Sequence, residues 1–335
     1  MRVVTRRDML HAALALGGAA LALPRPARAA GEAATRFTVA PLARVIVDND
    51  YAGDPDGLVA LAHQLLAPTT TVRVIASSFL NPAFPLPRAE AGGGAAAGRA
   101  LAVALAGMIR PPVAPVIAAG AERALDAVDV PRASDAARAI VAEALRDDPM
   151  PLYLTCGGPL TNVASALLME PRIAGRMTVI WIGGGAYPEG GWEYNLASDV
   201  RAAQVVLNHS AVPLWQVPQP AYRTCQASIA ELEETLGAGG ALGAWLLHRF
   251  TGTRPDWLKL GGTWPLGDSP LVLATALSSE SSDFAERPAP LVGDDLRYAS
   301  GAGARMIRVY SRIDFRLLWG DWLARLRRAA GPAAP

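Results

Sequence analysis

Four carboxylates fall within nine residues at Asp48-Asn49-Asp50-Tyr51-Ala52-Gly53-Asp54-Pro55-Asp56. The stretch directly follows the apolar run Arg44-Val45-Ile46-Val47, which reads as a buried β-strand, and precedes Leu58 to Leu66, which reads as a helix. Acidic residues crowded where a strand ends and a helix begins repel one another, so a cation or a bound proton has to offset their charge. An all-oxygen ligand set suits a hard divalent cation such as Ca2+. A purely structural reading of the same residues has Asp54 capping the helix, with Pro55 at its first position.

Three more segments end or follow apolar runs in the same way. Thr155-Cys156-Gly157-Gly158-Pro159-Leu160-Thr161-Asn162 opens a helix, and its glycines permit a tight turn that leaves backbone carbonyls free as ligands. Taken alone it reads as a strand-to-helix turn with Thr161 or Asn162 as the N-cap. Ile182-Gly183-Gly184-Gly185 leads to a loop with Trp192-Glu193-Tyr194-Asn195, where an acid and an amide two residues apart could hold sugar hydroxyls. Leu266-Gly267-Asp268-Ser269-Pro270 precedes the apolar run Leu271 to Leu277, and Asp268 alone reads as a helix N-cap.

The elements that must position these groups alternate. Strands are expected at 45–47, 72–76, 115–117, 152–154 and 179–182, and helices at 58–66, 92–109, 135–145, 162–168 and 200–207. This order predicts an α/β fold: a doubly wound, mainly parallel sheet with helices on both faces. In such sheets ligands bind beyond the carboxyl ends of the strands, where the acidic stretch lies. Residues 30–328 are expected to form one domain, Gly237 to Gly243 a loop or insertion, and residues 329–335 a frayed, disordered tail.

The start of the chain reads as an address. Arg6-Arg7 is a twin arginine, His11 to Leu23 is apolar, and Ala27-Arg28-Ala29 is a small-x-small cleavage site. Residues 1–29 are therefore expected to be a twin-arginine signal peptide, with export to the periplasm or beyond. Removing them takes away five Arg and one Asp, leaving 26 basic and 29 acidic residues and a formal charge of −3. That balance gives no electrostatic case for nucleic acid or an anionic membrane. No later segment is long and apolar enough to span a bilayer. Cys156 and Cys225 permit at most one internal disulfide and form no metal cluster; Cys156 reads as a buried free thiol.

Taken together, the motifs resemble the inosine–uridine preferring nucleoside hydrolase family, over nearly the whole chain from Val45 to Arg312-Ile313-Asp314-Phe315. Their order carries the resemblance: Asp-x-Asp after the first strand, Gly-Pro-Leu-Thr-Asn mid-chain, Glu-x-Asn after the Gly-Gly-Gly strand, then Asp at a late helix start. The resemblance implies a calcium-dependent pocket at the strand ends that cleaves the N-glycosidic bond between ribose and a base. It implies that Asp50 binds calcium and deprotonates the attacking water, that Asp268 binds calcium and touches the ribose, and that the Gly157 carbonyl completes the protein ligands. Asn81 matches a ribose-binding asparagine, and Glu193 and Asn195 match the loop pair that grips the ribose. Dimers or tetramers are common in the family.

Two departures stand out. The family's first motif ends in two adjacent aspartates, one for ribose and one for metal, and here Asp56 and Gly57 occupy those positions after two extra residues. Either Asp54 loops inward to the metal or Asp56 shifts to it from ribose. The second is Gly267, where some members carry a histidine that assists the leaving base; His63, His209 and His248 lie in no matched motif. A base leaving group can instead stack, and Tyr51, Trp192, Tyr194 and Trp264 lie near the motifs, although core packing explains any one of them. The departures motivate a second reading, a non-catalytic ribosyl- or sugar-binding protein on the same fold. A third, the Asp-x-Asp of haloacid-dehalogenase-like phosphatases, fits Tyr51-Ala52-Gly53 poorly.

Overall fold

The computed structural model describes residues 37–84, 93–252, 261–301 and 305–331. The expected signal segment lies outside the described residues. The strands run β1 Ala43–Asn49, β2 Thr70–Ser77, β3 Val116–Ala119, β4 Leu152–Cys156, β5 Thr178–Ile182, β6 Leu214–Val217, β7 Gln226–Ser228, β8 Thr263–Pro265, β9 Asp283–Pro288, β10 Leu291–Val292, β11 Tyr298–Ala299 and β12 Met306–Arg312. Eight of them make the main sheet, in the order β3-β2-β1-β4-β5-β6-β12-β9. Every neighbouring pair is parallel except β12 with β9.

Strand order reverses between β1 and β4, which are hydrogen-bonded neighbours with two strands between them in sequence. Helices leave these two strands toward opposite faces, so a crevice opens at their carboxyl ends. The alternation within β1 shows how the sheet is covered. Val45 and Val47 pack with residues of the helices Asp56–Leu66, Ala95–Ile109 and Phe315–Ala330. Ile46 points to the other face, with residues of Asp135–Ala144 and Thr161–Met169. With both faces covered, the strands are near-continuous apolar runs, as parallel sheets require.

Several boundaries differ from the expectation. The helix expected from Gly92 begins at Ala95; Gly92 itself lies outside the described residues. The helix at Val200 changes after Gln204 to a wider π-type turn, Val205–His209. Gly237 to Gly243, expected as a loop or insertion, is largely helical, with only residues 238–239 outside the helices. It joins the helices Ile229–Gly237 and Gly240–Gly252, and Gly243 lies inside the second, where a Cβ would collide with the Leu236 carbonyl. The last helix runs to Ala330, two residues into the expected tail, with Asp314 accepting a capping bond from the Leu317 N–H. Both cysteines are free and buried. The described residues from Ala40 onward cluster as one unit.

Candidate functional site

A pocket of about 210 Å³, partly open to solvent, lies at the carboxyl ends of β1, β4 and β5. Asp50, Asp54, Asp56 and Asp268 line it together with Ile182, Tyr194, Tyr222 and Pro265. Gly157, Glu193, Asn195 and Gly267 complete the lining.

Each acidic residue reaches the pocket by a different route. Asp50 directly follows β1, and its N–H is held by its neighbour's Asn49 Oδ1 at 2.8 Å. Asp56 begins the helix Asp56–Leu66, where the helix dipole favours a carboxylate. Its Oδ2 accepts the Asp268 N–H at 3.1 Å, so the first and last motifs are joined directly. Asp54 is more exposed; its Oδ1 accepts from Trp264 Nε1 at 3.2 Å and from the Asp56 N–H at 3.3 Å. Asp268 does not cap the helical segment after it. Its Oδ2 accepts from Asn49 Nδ2 at 2.9 Å.

Asn49 fills the space left by two glycines. A Cβ on Gly57 would sit 2.8 Å from Asn49 Nδ2, and one on Gly157 would collide with that same atom and approach Asp268 Cγ to 2.8 Å. The amide thus occupies the volume that a side chain at position 57 would need. Beneath it, fully buried Asp48 accepts from Ser78 Oγ at 2.7 Å and Asn162 Nδ2 at 3.1 Å, while its Oδ2 has no partner. Thr161 donates to Asp199 Oδ2 at 2.6 Å. Thr161 and Asn162, read as caps from the sequence alone, are therefore ties within the floor of the site.

The carboxyls are electrostatically strained. Burial, with Asp268 as the main charged neighbour, pushes Asp50 well above the usual carboxylate range. Burial and then Asp268 and Asp54 do the same to Asp56. Burial raises Asp268 to about 7, against the opposing hydrogen bond from Asn49. Asp48, fully buried, is raised to about 6 by desolvation. Such a cluster takes up either protons or a cation at neutral pH.

The remaining expected site residues divide. Glu193 is buried and caps the short helix Tyr194–Ser198, not a loop. Its oxygens accept from the N–H groups of Gly184, Asn195 and Leu196 and from Tyr222 Oη. Asn195 Nδ2 donates to the carbonyls of Gly157 and Ile182, which ties the expected ligand carbonyl to the neighbouring loop. Two expected substrate contacts do not line the pocket. Asn81 donates to the Ser198 carbonyl and accepts from the Ala83 N–H, and Trp192 is 56% exposed and packs edge-on against Phe84. Of the other aromatics, Tyr51 is core and Trp264 is buried against Phe250, while Tyr194 lines the pocket. Tyr222, Ile182 and Pro265 escaped the sequence reading. Tyr222 follows β6 at the same sheet edge, and that position was its only signal.

The donor set suits a hard cation: Asp50, Asp54, Asp56 and Asp268 offer oxygen ligands, with the Gly157 carbonyl beside them. Among the described residues, no three acidic, His or Cys side chains stand in a ready-made metal cage. The carboxylates would draw together around the ion.

The family model described as inosine-uridine preferring nucleoside hydrolase matches residues 45–299. The pyrimidine-specific ribonucleoside hydrolase RihA of Salmonella arizonae is 31% identical over 157 residues, 44% of this chain and 49% of that protein. RihA of Salmonella agona is 30% identical over the same length and shares. The chain thus matches about half the length of these curated relatives. Among solved structures, the plant nucleoside hydrolase PpNRh1 superposes with a TM-score of 0.68 at 17% identity, covering 87% of this chain and 100% of that one. A purine-preferring ribonucleoside hydrolase from Gardnerella vaginalis gives 0.65 at 19%, covering 86% and 99%. At these identities the structural likeness shows the fold alone.

Proposed function

Because this chain belongs to the inosine–uridine preferring nucleoside hydrolase family, we propose that it hydrolyses the N-glycosidic bond of ribonucleosides or a related ribosyl compound, releasing ribose and base. The observation that carries this reading is the convergence of Asp50, Asp56 and Asp268 at the β1/β4 switch point, in a pocket that Tyr194 and Tyr222 also line. A ribosyl compound has that polarity: a hydroxyl-rich sugar joined to a planar base.

Breaking the bond builds positive charge on the sugar ring. The acidic end, held within a low-dielectric pocket, stabilises that charge where it develops. Asp50 is the group placed to take the proton of an attacking water. Asp56 and Asp268 are linked through the Asp268 N–H, so the two carboxylates keep a fixed relation while they hold sugar hydroxyls. Asp50, Asp56 and Asp268, with Asp54 and the Gly157 carbonyl, are the groups that would hold calcium. A bound cation would supply positive charge that orients hydroxyls and water. Asn49 anchors Asp268 and the Asp50 backbone at once, keeping base and metal ligand in register.

The test is a reducing-sugar assay over purine and pyrimidine ribonucleosides, with added calcium or with chelator. Ribose release that requires calcium is expected. Asp50→Asn is expected to lower kcat by about 10²- to 10⁴-fold. Unchanged turnover in Asp50→Asn would remove the mechanism. No turnover in folded, calcium-loaded protein, together with tight ribose binding, would favour a sugar-binding role. The twin arginine supports export as part of the same reading, and periplasmic fractions should lose the protein when Arg6 and Arg7 are both changed to Lys.

A further inference from the structure

Gly267 lines the pocket between a carboxylate and an aromatic ring. A Cβ there would meet Tyr222 Cδ2 at 3.2 Å, Tyr222 Cε2 at 3.6 Å and Asp56 Oδ2 at 3.5 Å. The Tyr222 ring therefore occupies the space into which a larger residue at 267 would project, and it does so beside a carboxylate of the acidic end. Tyr222 is half-buried, lines the pocket, and donates its hydroxyl hydrogen bond to Glu193 Oε1 at 2.8 Å. It is held at both ends: the ring edge against the 267 backbone, the hydroxyl on a buried carboxylate.

In a ribosyl substrate the base is bonded directly to the sugar carbon that reacts. If the sugar sits among Asp50, Asp56 and Asp268, the base must lie against whatever borders that end. Tyr194 and Tyr222 both line the pocket, and Tyr222 is the one whose ring edge borders the space beside Asp56. We propose that Tyr222 sets the base preference of the pocket, its ring forming the wall against which the leaving base packs, with Gly267 kept free of a side chain to seat that ring. This inference rests on the ribosyl-hydrolase reading above. It concerns Tyr222, which follows β6, and not the segment 253–260, which lies outside the described residues.

The experiment compares wild type, Tyr222→Phe, Tyr222→Ala and Gly267→Ala in calcium. It reads kcat and KM on each ribonucleoside, and the binding of ribose and of free bases by calorimetry. Losing a stacking wall is expected to raise KM of the preferred nucleoside about tenfold or more in Tyr222→Ala and to compress the ranking of bases. Ribose binding should stay within about twofold and kcat should change less than KM, the pattern of lost ground-state base binding. Tyr222→Phe keeps the ring and should keep the ranking. Gly267→Ala displaces the ring by a few tenths of an ångström and should shift the ranking in the same sense as Tyr222→Ala, more weakly. Thermal unfolding of each variant checks that it is folded.

An unchanged ranking in folded Tyr222→Ala would overturn the proposal. So would equal losses of ribose and base binding, or a Tyr222→Phe that behaves like Tyr222→Ala, since the bond to Glu193 and not the ring would then carry the effect. Should wild type cleave no nucleoside, the hydrolase reading fails separately. Free-base binding still decides: bases that bind wild type and not Tyr222→Ala support the wall, and bases that bind neither or both overturn it.

Discussion

Asn49 and Gly57 act as one unit. The amide that anchors Asp268 stands where a side chain at 57 would need to be, so a second acidic residue cannot simply be put back. Gly57→Asp forces its Cβ to within 2.8 Å of Asn49 Nδ2, and something must move. Overpacking of this kind costs about 1–3 kcal/mol, which thermal unfolding would read as a lower midpoint. Asn49→Ala combined with Gly57→Asp opens the space, and the double variant should recover much of that loss and bind calcium with one more carboxylate. A Gly57→Asp protein as stable as wild type would mean that Asn49 swings aside freely. The residues of this unit were partly legible in the sequence. Asp50, Asp56, Gly157 and Asp268 stand at strand ends and helix starts, where charge or glycine is conspicuous. Asn49 read as a spacer, because a neutral amide announces itself only through the atoms it meets.

At the scale of elements, the legible strands were those rich in β-branched residues, such as Val72 to Ala76 in β2 and Val179 to Ile182 in β5. β6 was missed because Gln216 interrupts it. That side chain is fully buried, donating to the Gly183 carbonyl and accepting from Tyr187 Oη, so a polar letter fills a core position. With β6 unread, the segment leading to Tyr222 had no place in the sheet. Asn81 and Trp192 failed for the converse reason: polarity and aromaticity flagged them, but local contacts had already taken them up. The opposite end of β1 is fixed by ionic contacts. Arg44 is 3% exposed, pairs with Glu143 Oε1 at 2.7 Å, and donates to the Met150 carbonyl. Arg44→Ala would leave Glu143 with only more distant partners, Arg73 and Arg146. Removing one member of a buried pair costs about 3–5 kcal/mol, so chemical denaturation should show a loss near the lower figure. The calcium requirement and KM should be unchanged, because this network lies at the strand's amino end.

At the scale of the whole molecule, stability, pH and cation binding are linked through the acidic end. Carboxyls raised above their ordinary 3.8 take up protons in the folded protein before they do in the unfolded chain. Their contribution is complete below about pH 4 and is lost as pH rises through about 6 for Asp48 and about 7 for Asp268. His63 works in the other direction: burial lowers it, so its contribution is lost as pH falls below 6.5. Asp321, which Nε2 of His63 meets at 2.8 Å, is held low by His63 and Arg325 despite its burial, and it follows the same sense. A single melting curve against pH therefore mixes opposing trends. The difference between calcium-loaded and chelator-treated protein removes the His63 and Asp321 contributions, which do not touch the pocket. Calcium binds the ionised cluster and adds RT ln(1 + [L]/Kd) to folding. The gain in melting temperature from calcium should be small near pH 5, where protons already neutralise the cluster, and grow steadily to pH 8. In Asp268→Asn it should shrink and depend less on pH. A calcium gain that is flat with pH in wild type, or largest at pH 5, would show that the cation binds elsewhere, and the acidic pocket would lose its claim to be the metal centre.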